Sequence, residues 1–127
     1  MTELLAWVDV ETTGLDPVED YLLQVACILT DLDGNVVSEP YEAVIRHNQE
    51  AAMNLANNYV KAMHTETGLW GRLASGQEAA DVDRAILEGL VTFAAEPRQI
   101  RLAGNSVRLD LNFLERNLPK TDAHLHY

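Results

Sequence analysis

The stretch Leu4-Leu-Ala-Trp-Val-Asp9-Val-Glu11-Thr-Thr-Gly14 sets how the rest of the chain is read. Residues 4–10 form a short apolar run bounded by Thr-Thr-Gly, the pattern of a buried strand. Alternate residues of a strand project to the same side, so Asp9 and Glu11 share one face while Val10 packs on the other. Two carboxylates about 5 Å apart, at an effective dielectric near ~20, repel by roughly 3 kcal/mol. Either a divalent cation offsets that repulsion, with Mg²⁺ or Mn²⁺ suited to hard oxygen ligands, or the pair frays into solvent at the strand's end. The Asp-x-Glu spacing alone favours fraying.

Outward from this strand, Gly14 can take positive φ, and Asp16-Pro17 signals a turn. Tyr21 to Thr30, rich in Leu, Val and Ile, reads as a second strand. Asp33-Gly34 suits a type I′ hairpin, after which Asn35 to Ile45 returns as a third antiparallel strand. From Asn54 to about Leu73 the pattern is one or two short helices, broken near His64-Thr65 and at Gly71. Residues 77–94 place Ala79, Val82, Ile86, Leu90 and Phe93 on one helical face, ended by Pro97. Gln99 to Ala103 is a brief strand and Gly104-Asn105 a turn. Ser106 can N-cap a helix to about Asn117, stopped by Pro119. The order is β-β-β, helices, β, α in a single domain over residues 1–127, without repeats or linker. Trp7, Trp70 and Cys27 read as core residues, the cysteine as an inert small hydrophobe.

Composition narrows the class. Hydrophobic residues at 47% and charged residues at 23% fit a soluble globular protein. No apolar run approaches the ~18 residues of a membrane span. Cys27 is the lone cysteine, which excludes an internal disulfide and suits a reducing, cytoplasmic compartment. The formal charge of -11 disfavours a long polyanionic partner but tolerates a very short one where cations screen the contact. Arg98, Arg101, Arg108, Arg116 and Lys120 lie in the last third and read as a solvated mixed surface.

A second acid stands out in Ser106-Val-Arg-Leu-Asp110-Leu-Asn-Phe113-Leu114. Val107, Asp110 and Phe113/Leu114 fall on one helical stripe, and an acid on a packing stripe is costly unless something binds it. It also lies near the positive end of the helix dipole, so a surface, dipole-stabilised Asp is the competing reading.

Asp9-Val-Glu11-Thr-Thr-Gly14-Leu15 on a first strand, with Asn105-Ser106-x-x-x-Asp110 opening a later helix, resembles the DEDD 3′–5′ exonuclease superfamily. Trp7 through Pro17, Met63-His-Thr-Glu-Thr-Gly-Leu69, Gly104-Asn-Ser106 and the closing His126-Tyr127 are similar to the oligoribonuclease branch. The resemblance implies an α/β ribonuclease-H-like mixed sheet of order 3-2-1-4 with flanking helices, its fifth strand missing. It implies Asp9, Glu11 and Asp110 as catalytic metal ligands for two Mg²⁺ or Mn²⁺ ions. It places Leu15 as a wedge against a base, His64 and Ser106 near the substrate's terminal phosphate beside Asn105, and Tyr59 where the family has a stacking tryptophan. Thr12 stands in place of the family's methionine, a choice more common in proofreading-type relatives.

The family's fourth acid and general-base histidine fall in a His-x-x-x-x-Asp motif beyond Tyr127, and neither His124 nor His126 is assigned as the base. A positioned base is worth about 10²–10⁴-fold in rate. The expectation is therefore a fragment of a longer protein, very slow or inactive by itself, with a strand edge near Gln99–Ala103 left unprotected. The implied activity is hydrolysis of very short RNAs, down to dinucleotides, from the 3′ end to nucleoside 5′-monophosphates, by a homodimer. The alternatives are a DEDD exonuclease on longer single-stranded DNA or RNA, and a non-catalytic nucleotide-binding or dimerising remnant.

Overall fold

The computed structural model describes residues 3–126; Tyr127, part of the closing motif above, lies outside the described residues. Strand β1 (Leu4–Thr12) pairs antiparallel with β2 (Leu22–Asp31), which pairs antiparallel with β3 (Tyr41–Val44). Strand β4 (Ile100–Ala103) adds parallel to the other edge of β1, so the order 3-2-1-4 is observed. The sheet goes one strand further than expected, since β5 (Leu125–His126) pairs parallel with Ile100 and Arg101. Two residues are too few for alternation to show in a sequence, yet they cover part of the β4 edge that had been expected bare.

The hairpin after β2 is also built differently. Gly34 has φ +89° while Asp33 does not share positive φ, so the turn is not type I′. Gly34 N–H donates to the Asp31 carbonyl and Asp31 N–H to the Asn35 carbonyl, the pattern of a three-residue loop with a glycine bulge. The Asp31 carboxylate accepts from the Asn35 side-chain amide and from the backbone N–H groups of Asn35 and Asp33, which fixes the loop and holds that carboxyl below its ordinary range. β3 begins only at Tyr41, because Pro40 has no N–H to give a ladder and Ser38 Oγ takes the Leu29 N–H instead.

Helix α1 (Gln49–Leu55) and helix α2 (Asn58–Thr67) are separate, each N-capped by an asparagine side chain, Asn48 and Asn57. The break falls at Ala56-Asn57 rather than at His64-Thr65, and α2 runs through His64 to Gly68, whose φ of +76° closes it. A 3-10 turn, Trp70–Arg72, follows. Helix α3 (Ala79–Phe93) ends four residues before Pro97. Val82, Ile86 and Leu90 of its stripe are buried, whereas Phe93 remains 42% exposed. Helix α4 (Val107–Asn117) is followed at once by α5 (Pro119–His124). Pro119 thus starts a helix instead of only stopping one, since its absent N–H is one that a first turn leaves unpaired anyway.

Helices α3 and α4 pack on the sheet face carrying Ala6, Val8 and Val10, where Ile86, Leu90, Phe113 and Leu114 meet Val25 and Leu29, and α5 packs against α3 and α4. Each fully buried Leu or Phe there contributes about 1.5–3 kcal/mol. A smaller cluster of Leu23, Ala52, Leu69, Trp70 and Leu73 seats α1 and the 3-10 turn against the β2 end. Trp70 and Cys27 are buried as expected, and burial pushes the Cys27 thiol up to about 11. Trp7 is not a core residue: alternation puts it on the face of Asp9, 43% exposed, with Nε1–H donating to Thr30 Oγ1 at 2.8 Å.

Candidate active site

Asp9 and Glu11 lie at the C-terminal end of β1, opposite Ala26 and Gln24 of β2, with Val8 and Val10 turned into the core between them. Beyond Trp7 paired with Ala103, β4 leaves β1, so among the described residues the next stretch of that β1 edge has no strand partner on this side. Asp110 fills the opening. It sits in the first turn of α4, 3% exposed, and its carboxylate accepts a hydrogen bond from the Val10 backbone N–H. A strand edge that would otherwise leave a buried N–H orphaned is thereby satisfied.

The charges couple. Burial first, and Asp9 second, push the Asp110 carboxyl up to about 6, against the smaller opposing pull of the Val10 N–H. Glu11 is raised as well, by burial and then by Asp9, with His64 lowering it in part. Asp9 is the shared neighbour of both acids. Among the described residues no three His, Cys, Asp or Glu side chains close into a ready cage for an ion. The donors are nevertheless all carboxylate oxygens, the set that hard divalent cations take. A cation beside Asp9 would relieve two repulsions at once, so these residues fit such an ion.

Gly104 makes the approach possible. It has φ +155°, and a Cβ there would stand 2.8 Å from the Val8 carbonyl oxygen and 3.2 Å from Asp110 Oδ2. Gly14 does not take positive φ; its lack of a side chain admits the Asp20 carboxylate, which a Cβ there would strike. Asp20 in turn accepts from Thr13 Oγ1–H and from Asp16 N–H, which shapes the loop carrying Leu15.

The remaining candidates surround these acids unevenly. Leu15 is 79% exposed and Tyr59, near the start of α2, 77% exposed. Asn105 and Ser106 are exposed at the start of α4, and Ser106 occupies the N-cap position without making a side-chain capping bond. His64 is 1% exposed, and its Nε2 lies 2.8 Å from the Thr12 carbonyl oxygen. A cleft of about 390 Å³ on the open sheet face is lined by Trp7, Asp9, Ala26, Ile28, Glu42 and Asn105. Two features of this site escaped sequence reasoning, the Val10 N–H as partner of Asp110 and the exposed Trp7. The second was readable from alternation, which places Trp7 with Asp9.

A family model described as Exonuclease matches residues 6–127. The oligoribonuclease of Leifsonia xyli subsp. xyli is 37% identical over 126 residues, covering 99% of this chain and 60% of that protein. The oligoribonuclease of Streptomyces griseus is 37% identical over 127 residues, covering all of this chain and 63% of the relative. The chain therefore spans about three-fifths of the length of these relatives. Among solved structures, exonuclease I in complex with the inhibitor CFAM superposes with a TM-score of 0.69 at 20% identity, over 95% of this chain and 25% of the other. Exonuclease I from Methylocaldum szegediense gives 0.65 at 25% identity, over 93% and 24%. The ribonuclease-H-like architecture expected from the sequence is the one these structures share.

Proposed function

The chain belongs to the exonuclease family matched over residues 6–127, and from that premise we propose that the protein of which it forms at least part is a 3′–5′ exoribonuclease acting on very short RNAs. The reading assigns release of nucleoside 5′-monophosphates to the whole protein. The observation that carries it is the Asp110 carboxylate lying against β1 at the Val10 N–H, coupled to Asp9. An acid from a later helix and a pair on the first strand thus share one small region, as a phosphodiester-cleaving site requires. The relatives' printed name, oligoribonuclease, supports short RNA as the substrate. So does the charge of -11, which repels long polyanions.

Asp9, Glu11 and Asp110 would hold two divalent ions, Mg²⁺ or Mn²⁺, in this reading. Such ions, when bound, supply an acidified water and positive charge at the scissile phosphate. The other residues bind and orient. Leu15 and Tyr59 offer an apolar wedge and an aromatic platform to bases, and stacking on an aromatic is worth about 1–3 kcal/mol per base. Asn105 and Ser106 open α4, whose free N–H groups and dipole favour a phosphate. A homodimer in the cytoplasm goes with the proposal; among the described residues no helix is long and apolar enough to cross a membrane.

The test is hydrolysis of an end-labelled RNA dinucleotide and a 20-mer by the full-length gene product with Mn²⁺. Faster turnover of the dinucleotide to mononucleotides is expected. Preferred degradation of the 20-mer would shift the assignment to a long-strand exonuclease, and no hydrolysis of either would leave a nucleotide-binding remnant.

A further inference from the structure

We propose that the cleft on the open sheet face is a nucleobase slot, with Trp7 as its stacking platform and Glu42 as the acceptor that favours guanine. The inference rests on the short-RNA reading above and deepens it by naming the base the site prefers.

Strand register builds the slot. Asp9 pairs with Ala26 across β1 and β2, and Ala26 pairs with Glu42 across β2 and β3. The three side chains therefore stand in one row on one face, with the two acids roughly 10 Å apart, or two interstrand spacings. Ala26 is too small to fill that row, so a shallow floor lies between two carboxylates. One step back along the same face, Trp7 pairs with Ile28 of β2 and with Ala103 of β4. The hollow that results, about 390 Å³, has Trp7, Asp9, Ala26, Ile28, Glu42 and Asn105 in its lining.

Trp7 is held for contact rather than for packing. It belongs to neither buried apolar cluster. Its Nε1–H is satisfied by Thr30 Oγ1 at 2.8 Å, which fixes the indole and leaves no donor to be desolvated. An aromatic fixed in this way loses little freedom on binding, and its π-face accepts a stacked base.

The walls select the occupant. Among the described residues no basic side chain lines the hollow, while Asp9 and Glu42 both bring negative charge, so a phosphate is repelled from its interior. A neutral ring carrying N–H donors is favoured instead. Gln24 Nε2–H donates to Glu42 Oε1, which orients the carboxylate and leaves it further lone pairs. Guanine presents a ring N–H and an amino group side by side, a pair of donors that one carboxylate accepts together. The other three RNA bases lack that adjacent pair. Asp9 also belongs to the acids assigned to phosphodiester cleavage, so a base in the slot lies beside the reacting end of the substrate.

Tryptophan fluorescence of the chain in EDTA, titrated with guanosine, inosine and guanosine 5′-monophosphate, tests this without a metal ion. Trp70 is buried, so quenching reports on Trp7. Guanosine should quench saturably and bind about tenfold more tightly than inosine, which lacks the amino group. Glu42→Gln should bring the two nucleosides within about twofold of each other. Ala26→Leu, which fills the floor and keeps Trp7, should abolish saturable quenching. The monophosphate should bind no more tightly than guanosine. No saturable quenching of wild type, equal affinities for guanosine and inosine, or quenching that persists in Ala26→Leu would each overturn the inference. Tighter binding of the monophosphate would overturn it in favour of an anion site. Quenching in this chain but not in the full-length gene product would overturn it in favour of a protein segment covering the face. Dinucleotide hydrolysis separates the two claims: hydrolysis without guanosine quenching would sink the slot alone, and quenching without hydrolysis would sink the short-RNA reading alone.

Discussion

Replacing Asp110 by Asn should make the metal-free protein more stable at pH 8, although it removes a site residue. The carboxyl of Asp110 is pushed from its ordinary 3.8 up to about 6 by burial and by Asp9. At about 1.4 kcal/mol for each tenfold change in acidity, ionising it in the fold costs roughly 3 kcal/mol, and screening at the mouth of the site brings this to about 2 kcal/mol. The sign is set by which form the fold prefers. The folded state binds the proton more tightly than the unfolded chain, so this residue's contribution is most favourable below pH 3.8. It is lost as pH rises through about 6 and stays lost above. Asn cannot ionise, and its side-chain oxygen can still accept from the Val10 N–H. Urea unfolding of wild type and D110N in EDTA, from pH 4 to pH 8, gives the difference directly, with the carboxylates remote from the site cancelling between the two proteins and Asp9 relieved of its charged neighbour in the variant. The variant should gain about 2 kcal/mol relative to wild type between pH 4 and pH 8. A difference that is flat with pH, or a variant relatively weaker at pH 8 than at pH 4, would refute the coupling of burial and Asp9 at this carboxyl.

Gly104→Ala should lower stability by about 1–3 kcal/mol in denaturant titration and weaken Mn²⁺ binding, because the new methyl strikes the Val8 carbonyl and crowds Asp110 Oδ2 at a φ of +155°. Asp83→Ala should cost about 2–3 kcal/mol in the same assay. Asp83 is buried and accepts from the Lys120 and Thr121 N–H groups at 3.0 and 2.8 Å, so its loss orphans the start of α5. Tyr59→Ala should leave thermal melting unchanged, given its exposure, yet weaken dinucleotide binding about tenfold in a fluorescence titration.

Much of this arrangement was legible before any coordinates, and the residues show why. The β1 and β2 runs and the Val82–Ile86–Leu90 stripe carry strong periodicity, because each buries one face on the common core. Asp110 announced itself as an acid on a packing stripe, and it is buried beside Phe113 and Leu114 as that pattern implied. Elements without periodicity were lost. Helix α1 buries only Ala52, so it offers no stripe to read, and β5 is two residues long. The break before α2 is set by the Asn57 side chain capping Val60 N–H, a local bond that competes with helix continuation and leaves little trace in hydropathy. Asp83 occupies a stripe position of α3 but was unreadable as a cap, since the N–H groups it serves lie 37 and 38 residues further on. The site itself was half visible: the acids could be named, whereas the backbone N–H that orients Asp110 could not.

Titration of the chain with Mn²⁺, following the free-ion electron paramagnetic resonance signal at pH 7.5, tests the heart of the account, that Asp9 organises acids from β1 and α4 around divalent ions. Saturable uptake by the wild-type chain, lost in Asp9→Ala with its melting temperature maintained, is the predicted result. No uptake by wild type, or equal uptake by the Asp9→Ala variant, would contradict it.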